Sequence, residues 1–70
     1  MYERVFRRAS QTRRFTITHT LPTGWVVREE ENSQVIRNVR YQDWHRVERA
    51  SMTFAWQART LLDAGWVEAE

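Results

Sequence analysis

The sequence predicts an α+β domain, an antiparallel meander of three to four strands followed by one long C-terminal helix packed on one face. Two patterns carry this. From Trp44 to Ala64 the chain holds no Gly or Pro and repeats apolar or small residues at helical spacing. From Arg14 to Tyr41 side-chain character instead alternates with a period of two, interrupted at Pro22-Thr23-Gly24 and at Asn32-Ser33-Gln34. A chain of 70 residues is one small domain spanning 1–70, without internal repeat or linker.

Taken in order, residues 1–13 are open between strand and helix. Tyr2, Val5, Phe6 and Ala9 match helical spacing, whereas Glu3–Ala9 can also hairpin through Ser10-Gln11-Thr12 onto the next strand. A fourth strand is the better choice, because a short helix here has no obvious cap. The sheet proper covers 14–41. Phe15, Ile17, His19 and Leu21 alternate with Arg14, Thr16, Thr18 and Thr20. Pro22-Thr23-Gly24 fits a three-residue hairpin loop, which sets Leu21 opposite Trp25 and His19 opposite Val27. A three-residue loop at Asn32-Ser33-Gln34 pairs Trp25 with Tyr41, Val27 with Val39 and Glu29 with Arg37. A two-residue loop would set Arg28 against Arg37 and mix the faces.

The helix occupies 43–65 with its caps. Asp43 is the N-cap and Gly65 the left-handed C′ residue, after which Trp66 folds back onto Leu61 in a Schellman motif. Trp44, Val47, Ser51, Phe54, Ala55, Ala58, Leu61 and Leu62 form its apolar stripe. The expected core is Phe15, Ile17, Leu21, Trp25, Val27, Val35, Val39 and Tyr41 from the sheet. Trp44, Val47, Phe54, Ala58, Leu61, Leu62 and Trp66 complete it.

Composition bounds the function. With 41% hydrophobic and 29% charged residues the chain is an ordinary globular one, rich in aromatics for its length. The absence of cysteine excludes disulfides and thiolate metal sites. No apolar run is long enough for a membrane span or a signal-peptide core, so a soluble, cytoplasmic protein is expected. All 11 basic side chains are arginine and the net charge is +2. Five Arg against Glu3 make residues 1–20 basic, while Asp63, Glu68 and Glu70 outnumber Arg59 in residues 51–70. Arginine without lysine suits bidentate contact with phosphate, and it also follows from codon bias in a GC-rich genome.

Two surfaces stand out. On the sheet face away from the helix, Arg14, Thr16 and Thr18 neighbour Arg28, Asn38 and Arg40, a mixture that tracks a phosphate backbone. Arg7, Arg8 and Arg13 would extend its positive rim, and Phe6 or Tyr2 would supply an aromatic. The same arrangement is also what a solvated outer face looks like. The second surface is Met52 and Trp56, about 100° off the apolar stripe, which points to a homodimer interface. The alternative is that Trp56 lies over a loop or the N-terminal segment.

Catalysis is not expected. His19 projects with Ile17 and Leu21, His45 sits in the first helical turn, and Glu29-Glu30-Glu31 alternates across a strand, so no nucleophile–base pair or carboxylate pair converges. Pairing of Glu29 with Arg37 and its neighbours is the ordinary reading of that acidic run. His45 and Glu48 do not make a metal site by themselves. No cofactor, no metal and no small-molecule substrate is indicated.

The order of elements resembles the single-stranded-DNA-binding domains of the transcriptional coactivator and whirly type, with Asp43-Trp44 opening the helix in a similar way. That resemblance implies helices packed across a dimer and strands that carry nucleic acid. A second likeness is to WGR domains, from "RFTI" through "GWVVRE" to "LLDAGW", although Val27-Arg28-Glu29 stands where the Trp-Gly-Arg triplet would be. The expected function is thus a small non-enzymatic nucleic-acid-binding protein that prefers single strands. A homodimeric protein-interaction module with no nucleic-acid role is the alternative.

Overall fold

The computed structural model describes residues 2–20, 22 and 24–69. Chain order is β1 (Tyr2–Arg8), β2 (Gln11–His19), β3 (Trp25–Glu31), β4 (Gln34–Tyr41), α1 (Trp44–Asp63) and β5 (Val67–Ala69). The strands form one antiparallel sheet in the order β4-β3-β2-β1-β5, and α1 packs across one of its faces. This is the predicted α+β layout with the N-terminal segment as a strand and a fifth strand added.

The β1–β2 turn is tighter than expected. Arg8 pairs with Gln11, so Ala9 and Ser10 alone make the turn, with Ala9 at φ 54°. Ser10-Gln11-Thr12 is therefore not the loop, and every even residue of β1 faces the helix. Tyr2 lies across from Ile17, Arg4 from Phe15 and Phe6 from Arg13.

In the β2–β3 hairpin the register differs from the expected one by two residues. His19 pairs with Trp25 and Ile17 with Val27, leaving residues 20–24 as the connection. The Thr20 N–H donates to the Gly24 carbonyl at 2.9 Å and closes it. This register puts Ile17, rather than His19, against Val27 and sets the His19 ring, tilted, 5.2 Å from that of Trp25. A shift of two leaves each side chain on its predicted face. Leu21 and Thr23, with the Leu21 pairing, lie outside the described residues.

The β3–β4 register matches the sequence expectation at Trp25–Tyr41, Val27–Val39 and Glu29–Arg37. The route to it differs. Only Asn32 and Ser33 form the turn, both at positive φ (53° and 68°), as in a primed two-residue hairpin. A bulge follows, because Glu29 pairs with Arg37 but Glu30 with Val35. The extra residue restores the face alignment that a two-residue loop would otherwise destroy. It also turns Val35 outward, at 52% exposure beside the outward Ile36 at 50%, so Val35 leaves the expected core.

Both helix caps form as the sequence indicates. Asp43 Oδ1 accepts from the His45 N–H at 3.0 Å. At the other end Gly65 takes φ 93°, and the Gly65 and Trp66 N–H groups donate to the Leu62 and Leu61 carbonyls at 3.2 and 3.0 Å. This reversal aims the chain back at the sheet and lets Val67–Ala69 pair with β1. Arg8 supports it, donating from Nη1 to the Ala64 carbonyl at 3.0 Å and lying over the Trp66 ring. Arg4 then fastens β5 through Nε and Nη2, which donate to the two Glu68 carboxylate oxygens at 2.8 and 2.7 Å.

The core is Phe6, Phe15, Ile17 and Val27 from the sheet and Val47, Phe54 and Ala58 from the helix. Phe15 meets Phe54 at 4.8 Å between ring centroids, Phe6 meets Phe15 edge-on at 6.0 Å, and Tyr2 stacks on Phe54 at 6.1 Å. Trp44 (53% exposed) and Leu62 (43%) are surface residues rather than core. Each lies in a terminal turn of α1, although the Trp44 ring still reaches Trp25 at 5.4 Å.

Two outcomes follow for stability. Phe54→Ala removes the ring that joins Phe15 and Tyr2, at a cost of about 3–5 kcal/mol. Such a cost matches the whole stability expected of so small a core, so circular dichroism should report a largely unfolded chain at room temperature. The second concerns pH. Hydrogen bonds from Arg4 hold the Glu68 carboxyl below the ordinary carboxylate range, against a smaller opposing effect of burial. A lowered folded-state value stabilises the fold above the unfolded carboxyl pKa, and the gain disappears as pH falls through the folded value. Urea unfolding between about pH 6 and pH 3 should therefore show a loss of stability that is smaller in Glu68→Gln.

Candidate nucleic-acid interface

With α1 on one side, the opposite sheet face has no covering element among the described residues. Strand registers build it row by row. Arg40, Val26 and Thr18 share one row, and Asn38, Arg28, Thr16 and Glu3 the next. Glu30, Arg14, Val5 and Ala69 follow, then Thr12, Arg7 and Val67. All six sheet residues singled out in the sequence, Arg14, Thr16, Thr18, Arg28, Asn38 and Arg40, thus lie on one face. Alternation in strands whose inner residues are buried forces this outcome.

The face has two halves. Toward β4, Thr16, Thr18, Thr20, Val26 and Arg28 line a shallow recess of about 250 Å³. Thr20 Oγ1 is buried there without a hydrogen-bond partner. The β2–β3 connection presses on this side, since a Cβ at Gly24 would come within 3.1 Å of the Tyr41 carbonyl oxygen and 3.5 Å of Arg40 Nε. Toward β1, Val5, Arg7, Thr12, Arg14 and Glu30 surround a smaller recess of about 190 Å³. In this half charge is compensated. Arg14 Nε lies 3.8 Å from Glu3 Oε2, and Glu30 is its cross-strand neighbour. Both partners are about half exposed, so this pair contributes little to stability.

Several expectations for the surroundings need correction. Phe6 and Tyr2 lie on the helix side, so among the described residues the outer face carries no aromatic ring. Of the proposed rim, only Arg7 is on this face. Arg8 reaches Ala64, and Arg13 Nη2 lies 3.2 Å from Glu29 Oε1 on the helix side. Glu29 is nearly buried and takes Arg13 as its ion-pair partner, not the cross-strand Arg37. Glu3 and Val5 were not anticipated, because their placement depends on the tight Ala9-Ser10 turn.

Met52 and Trp56 lie one helical turn apart on the side of α1 away from the sheet, 67% and 70% exposed. They are therefore remote from the six sheet residues, across the thickness of the molecule. Trp56 is not covered by a loop or by the N-terminal strand. His19 packs on Trp25 and His45 is exposed in the first helical turn. Among the described residues no three of His, Asp and Glu gather as a metal site would require, and no helix is long and apolar enough to cross a membrane.

Comparison of the chain with protein-family models, curated proteins and solved structures finds no match.

Proposed function

We propose that this chain is a small, non-enzymatic, cytoplasmic nucleic-acid-binding protein that works as a homodimer and lays its outer sheet face along a single strand. The observation that carries the reading is the collection of Arg14, Arg28 and Arg40 with Thr16, Thr18 and Asn38 on one uncovered face. Guanidinium groups fork onto phosphate oxygens, and hydroxyl and amide side chains reach phosphate and sugar. The unpartnered Thr20 hydroxyl beside Val26 and Arg28 adds a donor to the same recess. Without an aromatic on this face, contact runs through the backbone of the nucleic acid rather than through stacked bases. The resemblance to coactivator and whirly domains, whose strands carry the nucleic acid, is in keeping with this.

Binding to a fluorescent single-stranded oligonucleotide should therefore be strong at low salt and fall steeply as salt rises. Arg28→Ala and Arg40→Ala should each weaken it alike for unrelated sequences, with the salt slope reduced by about one per lost phosphate contact. Absence of binding at tens of micromolar protein in low salt would rule the reading out.

A second reading, a homodimeric protein-interaction module with no nucleic-acid role, is favoured by one observation, the exposed Met52–Trp56 pair. Glu3 and Glu30 beside Arg14 also weaken the positive field over part of the sheet face. The dimer belongs to both readings. Burying a Trp removes on the order of 200 Å² of surface, a large term for so small a domain. Sedimentation at tens of micromolar should show a dimer that Trp56→Glu converts to monomer. A wild-type monomer with a solvated Trp56 would remove the dimer from both.

A further inference from the structure

On the helix side of the sheet, α1 leaves a cleft of about 390 Å³ along β4. Val27 of β3 and Phe54 of α1 form its apolar wall, and Tyr41 adds an aromatic side. Around it stand Arg37 from β4 and Arg46 and Arg49 from the first half of the helix. No aspartate or glutamate lines it. Among the described residues none of these three arginines makes an ion pair or a side-chain hydrogen bond. The nearest carboxylate by register, Glu29, is nearly buried and already pairs with Arg13 at 3.2 Å. Gln57 also lines the cleft, and its Oε1 is buried with no hydrogen-bond partner.

Each feature asks for the same kind of occupant. Three guanidinium groups around one concavity repel one another, and an anion relieves that repulsion. Their planar forks match phosphate oxygens in pairs. A buried amide oxygen without a donor is costly, and a ligand hydroxyl or N–H satisfies it. The apolar and aromatic wall takes a flat ring, and the volume falls at the small-molecule end of ordinary ligand sites.

We infer that this cleft binds a phosphate monoester carried on a ring-bearing body, the chemistry shared by a free nucleoside monophosphate and the phosphorylated end of a strand. Arg37, Arg46 and Arg49 hold the phosphate, Gln57 accepts from the sugar or base, and Phe54 and Tyr41 flank the ring. The site is on the opposite face from Arg28 and Arg40 and does not rest on the sheet-face reading.

Amide NMR titration of the intact chain with adenosine monophosphate and with adenosine tests it. The monophosphate should saturate and move the Tyr41, Ala50, Thr53 and Gln57 amides, with adenosine at least about tenfold weaker. Arg46→Gln with Arg49→Gln replaces two exposed side chains, so circular dichroism should be unchanged while affinity falls by about tenfold or more. Competition by a strand with a terminal phosphate, but not by the same strand with a terminal hydroxyl, identifies a strand end as the source. Lack of competition identifies the free nucleotide. Equal binding of adenosine and its monophosphate, an unaffected double variant, or shifts confined to Thr16, Thr18 and Arg28 would each overturn the site and leave the sheet-face reading to its own titration.

Discussion

The contact between Phe54 and Phe15, at 4.8 Å, is the point on which the rest of the molecule depends. One helix must exclude water from a face of five strands, and Phe54 is its largest buried side chain. Its ring also stacks on Tyr2, while Phe15 carries Phe6 on its other side. The aromatic row therefore runs from the helix through β2 to β1, the strand on which β5 is built. In a chain with no disulfide and few fully buried residues, this row substitutes for the broad aliphatic core of a larger domain.

A one-helix sheet has an unavoidable consequence: its second face stays in water and must be polar enough to remain there. The chain meets this with threonines and arginines at alternate positions, with Val5, Val26, Val35, Ile36 and Val67 as apolar spots among them. The two faces then use arginine differently. On the helix side Arg4, Arg8 and Arg13 are structural, bound to Glu68, the Ala64 carbonyl and Glu29. Arg37, Arg46 and Arg49 have no such partner among the described residues and border a cleft instead. Balanced net charge thus hides an uneven distribution, with acids spent on fastening β1, β3 and β5.

Much of this arrangement was readable from residue order. The helix was legible because Asp43 and Gly65 bracket an unbroken apolar stripe, and the β3–β4 register because only one alignment opposes Val27 to Val39 and Glu29 to Arg37. Both conclusions rest on periodicity, which survives local detail. Turns were less legible. Ala9 and Ser33 take positive φ without being glycine, so neither announces a two-residue turn. The bulge beyond Glu29 reproduced the expected register by another route and exposed Val35. β5 is only three residues long and forms because the Gly65 reversal delivers it to Arg4, a long-range contact that local pattern cannot express. Phe6 was offered to the outer face rather than the core because the side it faces depends on the Ala9-Ser10 turn. The six outer-face residues were recovered together because strand alternation is insensitive to a register shift of two.

Whether the uncovered sheet face binds a nucleic-acid strand, as proposed, is the central question, and amide chemical-shift mapping with a single-stranded oligonucleotide addresses it directly. The account predicts the largest shifts at Thr16, Thr18, Arg28 and Asn38, all on the uncovered face and contiguous across β2, β3 and β4. A spectrum unchanged by the oligonucleotide, or shifts confined to α1 around Met52 and Trp56, would contradict it.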